Sequence, residues 1–76
     1  MNDDTATMRA AIDQTLMAAG DDRVKKARDE QERARECRAH GETRKADLAN
    51  RHASALRNQA EGLWEAAEIV RREMTT

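Results

Sequence analysis

Residues 36–44 read ECRAHGETR, and the meaning of that stretch decides the fold. Cys37 and His40 stand in Cys-x-x-His spacing, which is half of a metal site. Gly41 follows, and it is a natural place for a helical chain to reverse, because glycine enters left-handed backbone without steric cost. A structural zinc needs four ligands. The one other histidine is His52. Folded back from Gly41, it lies eleven residues beyond the turn, ~16 Å along a helix. No carboxylate cluster completes the set, so no metal is expected. Gly41 is read as the hinge of a helical hairpin, with Cys37 a small packing thiol beside it.

The sequence on either side supports a hairpin. From residue 42 to 75, small and apolar residues recur at spacings of three and four: Ala46, Ala49, Ala53, Leu56, Ala60, Leu63, Ala67, Val70 and Met74. This is a heptad pattern over four repeats. One seam position is alanine throughout (46, 53, 60, 67), which lets two helices approach closely. Before Gly41, residues 22–40 are strongly helix-forming but poorly amphipathic. Residues 5–19 carry a second apolar set: Met8, Ile12, Leu16 and Ala19. Between them "AAGDD" (18–22) reads as a stop, with Gly20 as a helix end and Asp21 or Asp22 as a new cap. The expected fold is therefore one all-α domain over residues 1–76, an antiparallel, Alacoil-like hairpin hinged at Gly41. Its first arm is broken or kinked near Gly20, giving helices at about 5–19, 22–40 and 42–75. A three-helix arrangement fits the same signals.

Folding at Gly41 pairs residues whose numbers add to about 82. Met8 then meets Met74, Ile12 meets Val70, Ala19 meets Leu63, and Ala27 meets Leu56. Met17 falls beside Trp64, and Gly20 falls opposite Gly62.

Composition narrows the function. The chain has 76 residues, 38% of them charged, with one cysteine and no proline, phenylalanine or tyrosine. One cysteine forms no internal disulfide, and a domain this small buries little core alone. Extra stability is expected from a partner or a second copy. No apolar run approaches the length of a membrane span. The acidic start MNDDTATMRA lacks the apolar core of a signal peptide. With a free thiol, these features lead to an expected cytoplasmic location. There is no phosphate-binding glycine loop and no nucleophile with an orienting pair, so no enzyme and no cofactor are expected.

The net charge of −1 is unevenly spread. Residues 1–22 carry five acids and one arginine, residues 23–57 eleven bases and six acids, and residues 58–76 four acids and two bases. The middle is thus +5, and the two ends are −4 and −2. Arg23, Lys25, Lys26, Arg28, Arg33, Arg35, Arg38, Arg44 and Lys45 form the densest basic run. Phosphate backbones are held by such charge, so a dimeric hairpin that binds nucleic acid is the alternative function. No aromatic residue lies in the run to stack on bases.

The stretch MRAAIDQTL (8–16), closed by Gly20, resembles the first helix of the enhancer-of-yellow family of transcription and mRNA-export adaptors. The leucine-rich helices which that resemblance implies are absent from residues 22–76, and no function is carried across.

The leading expectation is a small non-enzymatic interaction protein, an adaptor, chaperone or inhibitor. It would associate with a protein partner or with itself as a homodimeric four-helix bundle. The end near both termini is richest in large apolar residues. Met8, Ile12, Leu16, Met17, Leu63, Trp64, Ile69, Val70 and Met74 are the expected interface, with Trp64 as its anchor. A structural subunit of a larger assembly is a further alternative.

Overall fold

The computed structural model describes residues 2–75, with side chains from Asp4 to Glu73. Helix α1 spans Asn2–Ala39 and helix α2 spans Thr43–Thr75. They lie side by side as a rod with principal extents of 60 × 14 × 11 Å.

The reversal occupies His40–Glu42. Gly41 has φ 75°, the one positive φ among the described residues. Its N–H donates to the Arg38 carbonyl at 3.0 Å, and the Glu42 N–H donates to the Cys37 carbonyl at 2.8 Å. These are the two bonds of a Schellman cap, which satisfy carbonyls that the end of α1 leaves open. The Glu42 carbonyl then accepts from the Ala46 N–H at 3.1 Å and starts α2.

Alanine makes the contact between the arms. Ala46, Ala53, Ala60 and Ala67 of α2 are buried, together with Ala49. Facing them are Gly20, Ala27 and Ala34 of α1, also seven residues apart and also buried. No large side chain is fully buried among the described residues. Methyl groups hold the helices so close that Leu56, Leu63 and Val70 are displaced to the flank of the seam, where they are half-buried.

The expected break at Gly20 does not occur. Helix α1 runs through Gly20 without interruption, so two helices form and not three. Glycine in a helix interior costs about 1 kcal/mol relative to alanine. The strong helix formers on either side carry the helix across it, and a tertiary contact gives the glycine another use. A Cβ at Gly20 would lie 2.6 Å from Trp64 Cδ1 and 2.9 Å from Cε2, with Nε1 nearer still. The indole ring occupies the space a side chain would fill. The expected pairing of Gly20 with Gly62 is likewise replaced, since nothing stands within 4 Å of the Gly62 position.

The register otherwise runs close to the one expected. Arg9 donates to the Glu73 carbonyl at 3.1 Å, and Arg71 pairs with Asp13 at 2.9 Å. Arg57 donates to Gln31 at 2.7 Å, and His52 stands 3.9 Å from Glu30.

Candidate functional site

Because the buried sets recur every seven residues along both helices, residues seven, fourteen or twenty-one apart share a side of the rod. Glu30, Arg33 and Cys37 of α1 meet Lys45, Leu48, Ala49 and His52 of α2 around one shallow open depression. Ile12 precedes Arg33 by three heptads, and Leu16 precedes Cys37 by three. Ile69 follows Leu48 by three, Val70 follows Ala49 by three, and Leu63 follows Ala49 by two. Ile12, Leu16, Leu63, Ile69 and Val70 therefore lie on this same side, with Met8 at its edge. Met8, Ile12, Leu48 and Ile69 are 65%, 47%, 54% and 55% exposed. One side of the hairpin thus gathers exposed apolar side chains near the termini, which give way to paired charges towards the turn.

The opposite side holds two further expected interface residues, Met17 and Trp64. Trp64 lies there against Gly20, and Met17 lies two heptads before Gln31, which bonds Arg57 on that side. Both are half-buried. Trp64 therefore packs against the facing arm of its own hairpin, on the side opposite Ile12 and Ile69. The contact of the ring with the bare glycine backbone forms within the single hairpin and leaves the side chain half-buried. Its Nε1 is buried with no hydrogen-bond acceptor. The side chain of Met74 lies outside the described residues.

The basic run is also divided. Lys25, Arg28, Arg35, Arg38 and Arg44 lie on the Trp64 side or its outer edge, with Arg51 and Arg57. Two acids, Glu32 and Asp47, accompany these seven bases in residues 23–57. Arg23, Lys26, Arg33 and Lys45 lie on the apolar side, where Asp29, Glu30, Glu36 and Glu42 balance them. Three of these four bases are paired: Lys26 with Asp22 at 3.1 Å, Arg33 with Glu30 at 3.6 Å, and Lys45 with Glu42 at 3.2 Å. On the far side Arg38 pairs with Asp47 at 3.6 Å. The apolar side is close to neutral, and the excess positive charge of the middle lies opposite it.

Cys37 packs beside the cluster of Ala34, Ala46 and Ala49, while His40 is exposed in the turn. Among the described residues, no group of three or more His, Cys, Asp or Glu is placed to hold a metal. No helix there is long and apolar enough to cross a membrane.

Sequence reasoning missed Leu48, whose place two residues after a seam alanine puts it on the outer edge of the apolar side. It also missed the seven-residue spacing of Gly20, Ala27 and Ala34, which was visible among the charges of residues 22–40. No protein-family model, curated protein or solved structure matches this chain.

Proposed function

We propose that this chain is a small, non-enzymatic interaction protein of the adaptor, chaperone or inhibitor kind, and that it binds through the apolar side of its hairpin. The observation that carries this reading is the gathering of Met8, Ile12, Leu16, Leu63, Ile69 and Val70 on one near-neutral side, with three of them about half exposed or more. Contiguous exposed apolar surface marks an interaction site. Met17 and Trp64 belong to the hairpin's own packing in this reading, and Gly41 serves as the turn that sets the two arms side by side.

The test immobilises the chain and identifies proteins retained from the source extract. Ile12→Glu with Ile69→Glu abolishes retention of a partner. Arg28→Glu with Arg35→Glu leaves it intact. The opposite result overturns the reading.

A second reading rests on the far side, where seven bases stand with two acids. If RNA or DNA is retained, weakens steeply with salt as counterion release requires, and is lost on Arg28→Glu with Arg35→Glu, the hairpin is a nucleic-acid binder.

A further inference from the structure

We infer that the Trp64 side of the turn half grips a nucleic-acid duplex by the phosphates of both its strands. This rests on the second reading above, in which the bases opposite the apolar side are the functional surface, and it names the form of nucleic acid which that surface takes.

The bases on this side are left available. Lys25, Arg28, Arg35, Arg44 and Arg51 are exposed, and none joins an ion pair among the described residues. On the apolar side three of the four bases are taken up by acids three or four residues away on their own helix. Only Glu32 stands unpaired among the five, since Asp47 is held by Arg38 at 3.6 Å. Four of the five are arginines, whose planar fork holds a phosphate by two parallel bonds.

Their placement makes two rows. Arg28 and Arg35 are one heptad apart on α1, and Arg44 and Arg51 one heptad apart on α2. Each step is ~10.5 Å of helix rise, about three phosphate steps of 3.4 Å along one strand. Glu30 stands by His52 and Arg38 by Asp47, so the rows alternate along the rod in the order Arg28, Arg51, Arg35, Arg44. The buried alanine seam fixes their separation across a rod with lateral extents of 14 × 11 Å. That is the scale of a duplex groove, about 12 Å for the major groove of B-DNA. One row thus serves each strand.

A single strand fits this surface less well. It offers one line of phosphates to two rows, and single-strand sites add aromatic platforms on which bases stack. No aromatic residue lies in residues 23–57, and the indole of Trp64 is seated on Gly20. The grip is also bounded. Asp21 precedes Arg28 by one heptad, and Glu65 follows Arg51 by two. Both rows therefore turn acidic towards the termini, where phosphate is repelled. The basic stretch from Lys25 to the turn is ~20 Å of helix, about six base pairs of backbone.

The experiment measures fluorescence anisotropy of the full chain with a labelled 16-base-pair DNA duplex, the matching RNA duplex, and the single strands of each. The expected result is that at least one duplex binds ten-fold or more tighter than its strands, the RNA and DNA arms showing which. For the DNA duplex, log K should fall with log salt with a slope of about −4 to −5, as five phosphate contacts require. Arg28→Glu with Arg35→Glu, and separately Arg44→Glu with Arg51→Glu, should each weaken the duplex more than ten-fold at unchanged helical content. Ile12→Glu with Ile69→Glu should leave it bound. Single strands bound as tightly as duplexes, or a loss confined to one row, overturn the two-strand grip while the nucleic-acid reading stands. No binding of any of the four at 50 mM salt overturns both.

Discussion

The indole of Trp64 occupies the space above Gly20 where any other residue would carry its side chain. These residues are 44 positions apart in the chain and sit on opposite arms. Their contact turns a glycine that reads as a helix stop into a seat. In an open helix interior, Gly→Ala stabilises by about 1 kcal/mol. At Gly20 a new methyl must displace a rigid ring, and overpacking costs about 1–3 kcal/mol. Gly20→Ala is therefore expected to lower stability in urea titration. In a Trp64→Ala background the same change should become stabilising, as a double-mutant cycle reveals coupling between neighbours.

Trp64→Ala should act on the fold first. Removing a half-buried aromatic that bridges the arms is expected to cost about 1–3 kcal/mol. The wild-type tryptophan emission should be blue-shifted and move to the red on unfolding. An emission maximum already that of free tryptophan in the native protein would contradict the packed ring.

Gly41→Ala tests the turn. A left-handed conformation costs an L-residue roughly 1–2 kcal/mol, and Gly41 has φ 75°. The variant should lose stability by that amount, and Gly41→Asn by less, because asparagine tolerates this region better. No atom crowds the position, so backbone conformation alone sets the effect.

Ala60→Leu probes the seam. Ala60 has no exposed surface, and three added carbons have nowhere to go between close helices. A loss of about 1–3 kcal/mol is expected in thermal or chemical unfolding. Ala55→Leu, at an exposed position in the single hairpin, should change hairpin stability little.

Arg71→Ala removes the partner of Asp13, whose carboxylate is 18% exposed and 2.9 Å from the guanidinium. Arg71 itself is half exposed, so the cost should stay within about 0.2–1 kcal/mol. The difference between wild type and variant should shrink as salt is raised.

A two-helix hairpin is legible in residues 43–75, because alanine at 46, 53, 60 and 67 repeats without a break. The other arm is harder to read. Its half of the seam is Gly20, Ala27 and Ala34, small residues among charges, and small residues announce a close neighbour only when that neighbour is known. Gly20 reads as punctuation because its partner lies on the far arm. Trp64 reads as an interface anchor, and its seat on Gly20 is hidden for a related reason. A large ring has no visible cavity in a sequence of alanines, and a bare stretch of helix backbone leaves no mark in hydropathy. The apolar side itself was partly legible. Ile12, Leu16, Leu63, Ile69 and Val70 follow helical spacing, but which of them share a side depends on how the arms turn towards each other.

The alanine seam has one more effect, on how the arms find their alignment. A row of like methyl groups repeating every seven residues presents nearly the same surface after a slip of one heptad. The seam grips without measuring. What measures is irregular: the capped reversal at Gly41 near one end, and the indole seated over Gly20 at mid-rod. The arms can zip from the turn through local contacts, a route that favours rapid folding, and slide until the ring drops into place. Trp64 and Gly20 then act as a detent, a single notch on an otherwise smooth rail.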